Sequence, residues 1–149
     1  MRRLVVALVL VGGLALGVAG IAGSGIGVDS VTPSRVHVGE TLHVRISAGI
    51  LIRQRIPLYI VPSAKALRPR ACGRGGLCEP KVARPPAHGP YVRVATVSFR
   101  RRLRWIVSFR VPPVAAGRYE LAYYCGPCYR GPGGSLIADR ESPFTVARP

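Results

Sequence analysis

The chain predicts an all-β fold, an antiparallel β-sandwich of about seven strands behind an apolar N-terminal segment. Three stretches carry this prediction. Leu42, Val44 and Ile46 alternate with His43, Arg45 and Ser47. Trp105, Val107, Phe109 and Val111 alternate with Ile106, Ser108 and Arg110. Tyr119, Leu121, Tyr123 and Cys125 alternate with Arg118, Glu120, Ala122 and Tyr124. A period of two is that of a half-buried strand, and no stretch after the N-terminal segment keeps a helical period.

The chain begins with a targeting signature. Arg2 and Arg3 precede a run without charge from Leu4 to Val28, rich in Val, Leu, Ala and Gly. A basic start, an apolar middle and small residues toward the end describe a signal peptide over residues 1–23, with the cut expected between Gly20 and Ser24. The alternative is an uncleaved anchor reaching to about Val28, because the run slightly exceeds the roughly 20 residues that span a bilayer. Both readings put residues 24–149 outside the cytoplasmic membrane, since the arginines hold the N-terminus inside. That remainder is long enough for one domain with its own core.

In order, Val28 and Val31 lead to a turn at Thr32-Pro33-Ser34, Val36 and Val38 form a short extended piece, and Gly39-Glu40 turns the chain into the first alternating strand. Ile56 to Val61 is a strand bounded by Pro57 and Pro62, which assigns it to a sheet edge because proline cannot donate to a ladder. Residues 62–90 hold Pro69, Pro80, Pro85, Pro86 and Pro90 among several glycines. They read as one long loop, a length associated with function or disorder. Alternation returns at Tyr91, although the inner face of residues 92–99 stays ambiguous. Pro112 and Pro113 end the next strand, Gly117 gives a permissive corner, and the strand ending at Cys125 follows. One last strand holds Leu136 and Ile137, then Phe144 and Val146 after an interruption at 139–143.

The opening VDSVTPSRVHVGETLHVRISAG resembles the first strands of extracellular bacterial immunoglobulin-like domains. VSFRVPPVAAGRYELAYYC and the closing PFTV resemble the end of the same kind of domain. The resemblance implies an immunoglobulin-like sandwich with its corner at Gly117-Arg118-Tyr119, where the Tyr119 hydroxyl bonds back to the backbone. It covers both ends of the domain and says little about activity. The single Trp lies on a late strand, and the cysteine spacing does not give the antibody-type bridge.

The four cysteines occur as Cys72-x5-Cys78 and Cys125-x2-Cys128. In an exported chain an even count points to disulfides, with three connectivities open. Local pairs, Cys72–Cys78 and Cys125–Cys128, need no long-range geometry and are favoured. Cys125 to Cys128 also spell CGPC, the tetrapeptide of thioredoxin-type active sites, which makes an exported thiol–disulfide oxidoreductase the alternative function. That chemistry needs an activated thiol at a helix N-terminus, and the following YRGPGG cannot start a helix.

No other catalytic constellation is present, and the chain reads as non-enzymatic with no cofactor and no metal. His37, His43 and His88 lack metal-site spacing, and six scattered acids make neither a calcium cage nor a glycosidase pair. What stands out is charge. Twenty-two basic residues against six acids give +16, and the only lysines are Lys65 and Lys81. Arg100, Arg101, Arg102 and Arg104 crowd a hairpin tip. Arg68, Arg70, Arg74 and Arg84 lie in the long loop. Guanidinium groups bind phosphate and carboxylate bidentately. The expected partner is therefore an anionic cell-wall polymer, a membrane surface or an envelope protein. Nucleic acid fits the charge but not the export signal, and no aromatic residues interleave the arginines.

Overall fold

The computed structural model describes residues 25–49, 52–73, 75–101, 103–126 and 133–148. Among them it is all-β, with one 3-10 turn at Ser63–Lys65 and no α-helix. The segment read as signal peptide or anchor, residues 1–23, lies outside the described residues. No helix among the described residues is long and apolar enough to cross a membrane. The last part of the uncharged run is strand: Ile26 and Val28 are buried in β1 (Ile26–Thr32).

Two sheets share one core. The first runs β1, β3 (Thr41–Ala48), β9 (Arg104–Arg110), all antiparallel. The centre of the second is β10 (Gly117–Cys125). One edge of β10 pairs with β4 (Arg55–Pro62), which pairs in turn with β8 (Val92–Ser98). Its other edge is shared: β12 (Phe144–Ala147) takes residues 117–119 and β11 (Gly134–Ala138) takes residues 122–125. β2 (Arg35–His37) continues this sheet parallel to β12, so the chain passes from one sheet to the other between β1 and β2. β7 (Lys81–Val82) borders β11. The inward residues meet between the sheets: Leu42, Val44 and Ile46 from β3, Phe109 from β9, Leu121 and Tyr123 from β10, and Phe144 and Val146 from β12.

The strand at 56–61 is not at an edge. β4 is paired on both sides, and its prolines sit where ladders stop. Pro57 lies one residue beyond the pairing with β10, which begins at Leu58, and Pro62 lies beyond the pairing with β8, which ends at Ile60. The missing N–H groups therefore mark ladder ends rather than a bare edge.

The long loop is also more ordered than its composition suggests. It holds the 3-10 turn, the hairpin β5 (Arg70–Cys72) and β6 (Gly76–Cys78), and β7. These pieces are too short to show a period. They explain most of the excess of twelve strands among the described residues over the seven expected; the division of the last strand into β11 and β12 adds another.

Two smaller differences have local causes. In β8, Leu58 faces Ala95 while Tyr59 faces Arg93, which leaves Val94 unmatched in a bulge. The bulge switches parity, so Val92 and Val94 pack inward before it and Val97 and Phe99 after it. Val38 belongs to a turn, not a strand, and is 43% exposed. Gly39 follows at φ 86°, a left-handed backbone that suits glycine. The Glu40 carboxylate closes this turn by accepting from the His37 N–H at 2.7 Å.

Candidate functional site: the arginine-lined face of β3 and β9

Pro112 and Pro113 end the ladder of β9, and Gly117 opens β10 in a nearly extended backbone (φ 157°). The Tyr119 hydroxyl donates to the Ala115 carbonyl at 2.8 Å. Its ring stacks on Phe144, centroids 6.0 Å apart, and burial pushes its hydroxyl pKa up. Two residues on, where antibody domains carry a bridging cysteine, Leu121 is fully buried. The corner is therefore a packing device held by one hydrogen bond and one aromatic contact.

Cys72 and Cys78 form a disulfide that closes the β5–β6 hairpin. Cys125 is disulfide-bonded and fully buried at the end of β10, within the main core cluster. Cys128 lies outside the described residues. A buried sulfur on a central antiparallel strand is poorly placed to meet an external disulfide.

The alternation of β10 predicted one wet face, yet Glu120 is only 4% exposed and Ala122 is fully buried. The long loop covers this face. Tyr59, Val61, Tyr91, Ala122 and Leu136 form a second small core there, with Ala66, Val82 and Tyr124 packed on it. Tyr59 and Tyr91 meet edge to face at 6.3 Å. The Tyr91 hydroxyl accepts from the Leu67 N–H at 2.7 Å, and burial pushes its pKa up. Arg68 forks onto both Glu120 oxygens at 2.6 and 2.8 Å and also donates to the Ser63 carbonyl. The hydrogen bond to Glu120 pushes the Arg68 pKa up, so its charge is held firmly. Arg68 is thus a structural cation, its guanidinium already engaged by Glu120 and Ser63. Arg70 and Arg84 are exposed, and Arg74 lies outside the described residues.

Arg100 and Arg101 are exposed at the tip between β8 and β9, and Arg102 lies outside the described residues. The Ala48 N–H donates to the Leu103 carbonyl at 2.7 Å and ties this tip to β3. Arg104, the first residue of β9, leaves the tip and joins the outer face of the first sheet. There Ser47 stands opposite Arg104, and Arg45 opposite Ile106. Arg45 and Arg104 are therefore diagonal neighbours on one face. With Trp105 and Ile106 they line a shallow cleft of about 590 Å³. Further along, His43 and Ser108 share a 2.7 Å hydrogen bond, and Arg110 stands opposite Thr41.

Sequence reasoning gave Arg45 a wet position but not its neighbours, because only the β3–β9 register brings it to Arg104. The outer face of β3 and β9 carries three arginines and no acid. Four of the six acids are already hydrogen-bonded, and of these Asp29 lies beside this face, on Ser47 opposite Arg104. Asp29 accepts from Ser47 at 2.7 Å, Glu40 closes its turn, Glu120 holds Arg68, and Asp139 accepts from the N–H groups of Glu141 and Ser142. Among the described residues, no group of three or more acids, histidines or cysteines is arranged to hold a metal.

Comparison with known proteins returned no matching family model, no matching curated protein and no matching solved structure.

Proposed function

We propose that this chain is an exported immunoglobulin-like binding domain of a bacterial cell envelope, taking an anionic partner through arginines. The fold part of the reading rests on the two facing sheets, on β10 at the centre of one of them, and on the Tyr119 corner. These are features of immunoglobulin-like sandwiches. The binding part rests on one observation: Arg45, Arg104 and Arg110 share an exposed face of β3 and β9 whose one neighbouring acid, Asp29, is bound to Ser47, next to the exposed tip arginines. Uncompensated surface arginines contribute little to stability, since even paired surface charges are worth about 0–1 kcal/mol. They do attract dense negative charge. The alternative, an oxidoreductase acting through Cys125 and Cys128, is disfavoured by the burial of Cys125.

The test is binding of the protein to anionic vesicles and isolated cell wall at low and moderate salt. Attraction of this kind weakens steeply as salt rises, because screening shortens to roughly 8 Å near physiological ionic strength. Replacing Arg100, Arg101, Arg102 and Arg104 with Ser should weaken binding and flatten the salt dependence. Unchanged binding with an unchanged slope removes the tip from the function. Turnover in an insulin-reduction assay would favour the redox alternative.

A further inference from the structure

We propose that the free edge of β9 accepts an extended acidic polypeptide segment as an added strand. This rests on reading the arginine face as a binding surface, and it names the partner class.

β9 pairs only with β3 among the described residues. The Ala48 N–H bonds to the Leu103 carbonyl at one end, and the Val111 N–H bonds to the Glu40 carbonyl at the other. In an antiparallel pair, residues that exchange hydrogen bonds with the partner alternate with residues whose main-chain groups point away. Leu103 and Val111 therefore set the phase. Trp105, Val107 and Phe109 bond to β3, and the N–H and C=O groups of Arg104, Ile106, Ser108 and Arg110 face the open edge. The same four residues have exposed side chains. Ile106 is 65% exposed, an apolar side chain left in water between two arginines.

Beyond that edge lies a cleft of about 450 Å³, walled on one side by Trp105 to Ser108 and on the other by Arg55 and Thr96 to Ser98. An added strand lies about 4.8 Å from its neighbour and alternates its side chains. One set would enter the cleft beside Trp105 and Val97. The other would lie beside Arg104, Ile106 and Arg110, where cross-strand pairing favours carboxylates. The matching guest alternates apolar and acidic residues.

A second copy of the chain fits badly. β9 laid antiparallel on β9 brings Arg104 against Arg110, and two chains of +16 repel one another. The acids of the chain itself are mostly engaged, as described above. The opposite edge of the same sheet is closed by side chains. The Tyr123 hydroxyl donates to the Ile26 carbonyl at 2.7 Å, Asp139 accepts from the Val28 N–H, and Ser142 donates to the Val28 carbonyl. Exposed edges are normally blunted in this way, and β9 has no such cover among the described residues.

The experiment uses the full chain and a short fluorescent peptide alternating Glu and Val. Two more peptides carry N-methyl groups on alternate amides, one in each phase. Strand addition predicts that one methylated phase binds about tenfold more weakly or worse while the other binds like the parent, because only one set of amides faces the edge. Arg104→Ser with Arg110→Ser should also weaken the parent peptide about tenfold or more. Ile106→Pro removes an N–H that faces the open edge and leaves the β3 ladder intact; it should abolish binding while far-ultraviolet circular dichroism stays unchanged. Equal binding by both methylated phases overturns strand addition. If anionic vesicles still bind in an arginine-dependent way in that case, the broader anionic-partner reading survives alone. If neither vesicles nor peptide respond to the arginine changes, both fall.

Discussion

On the outer face of β10, Glu120 is 4% exposed, held by an arginine from the long loop and roofed by tyrosines. On the outer face of β9, Ile106 is 65% exposed between arginines that no acid neutralises. Both strands alternate equally well in the sequence, and both read as half-buried. What separates them is what the chain lays over each. Residues 62–73 and 75–90 fold back as a partial third layer on one sheet, and nothing among the described residues does so on the other. A period of two therefore reports two faces but does not say that one of them meets water.

The largest effect should come from breaking the covered side. Arg68→Ala leaves the Glu120 carboxylate buried without a partner and should cost about 3 kcal/mol in chemical unfolding at neutral pH. Glu120→Ala should cost less, about 1–2 kcal/mol, because the remaining guanidinium, with its side chain 32% exposed, reaches solvent. Equal losses in the two variants would mean that Glu120 is not truly sealed by the loop.

Next in size is the hairpin staple. Cys72→Ser with Cys78→Ser opens a loop spanning a sequence separation of 6, and the chain-entropy account gives a loss of about 2 kcal/mol. The damage should concentrate in the covering layer, so hydrogen exchange should speed up at residues 66–82 before it does in β3 or β9. Uniform acceleration would tie the hairpin to the whole core.

A smaller effect of opposite sign is expected at Glu79. Burial pushes its pKa up, and its Oε2 is sealed without a hydrogen-bond partner. A carboxyl with a raised folded-state pKa favours the fold when protonated, and that contribution is lost as pH rises through its folded-state pKa. Glu79→Gln should therefore stabilise the protein at neutral pH by under about 1 kcal/mol and leave it unchanged in acid. A stabilisation that persists in acid would point to another cause. On the bare side, Ile106→Ser should change stability by less than about 0.5 kcal/mol. A larger loss in thermal unfolding would mean that this face is covered after all.

The strands β3, β9 and β10 were legible because each has one face in a single core and no irregularity. β8 was not, because the bulge at Val94 reverses its parity midway. β4 was misplaced because its prolines look the same at a ladder end as at a sheet edge. The turn before β10 was legible from local chemistry, two prolines and a glycine, whereas the role of Tyr119 was an expectation of the resemblance alone. The arginine tip was visible as a run, but its most structured member, Arg104, belongs with Arg45, which stands 59 positions earlier in the chain. That neighbourhood depends on register, which local pattern does not encode. Arg68 looked like one more loop arginine until the fold brought it to Glu120.

The sealed edge of β1 carries a consequence for timing. Its closing hydrogen bonds come from Tyr123, Asp139 and Ser142, separated from their partners by 97, 111 and 114 positions, and among the described residues β2 pairs only with β12. The pairing of β2 thus waits for the last strand. A chain ending before Phe144 has β1, β3 and β9 but leaves β2 without β12 and the second sheet incomplete. Pairings of such long sequence separation form slowly, so the closure of β1 and the pairing of β2 come late in folding. The clasp that stabilises the finished domain is also what delays it.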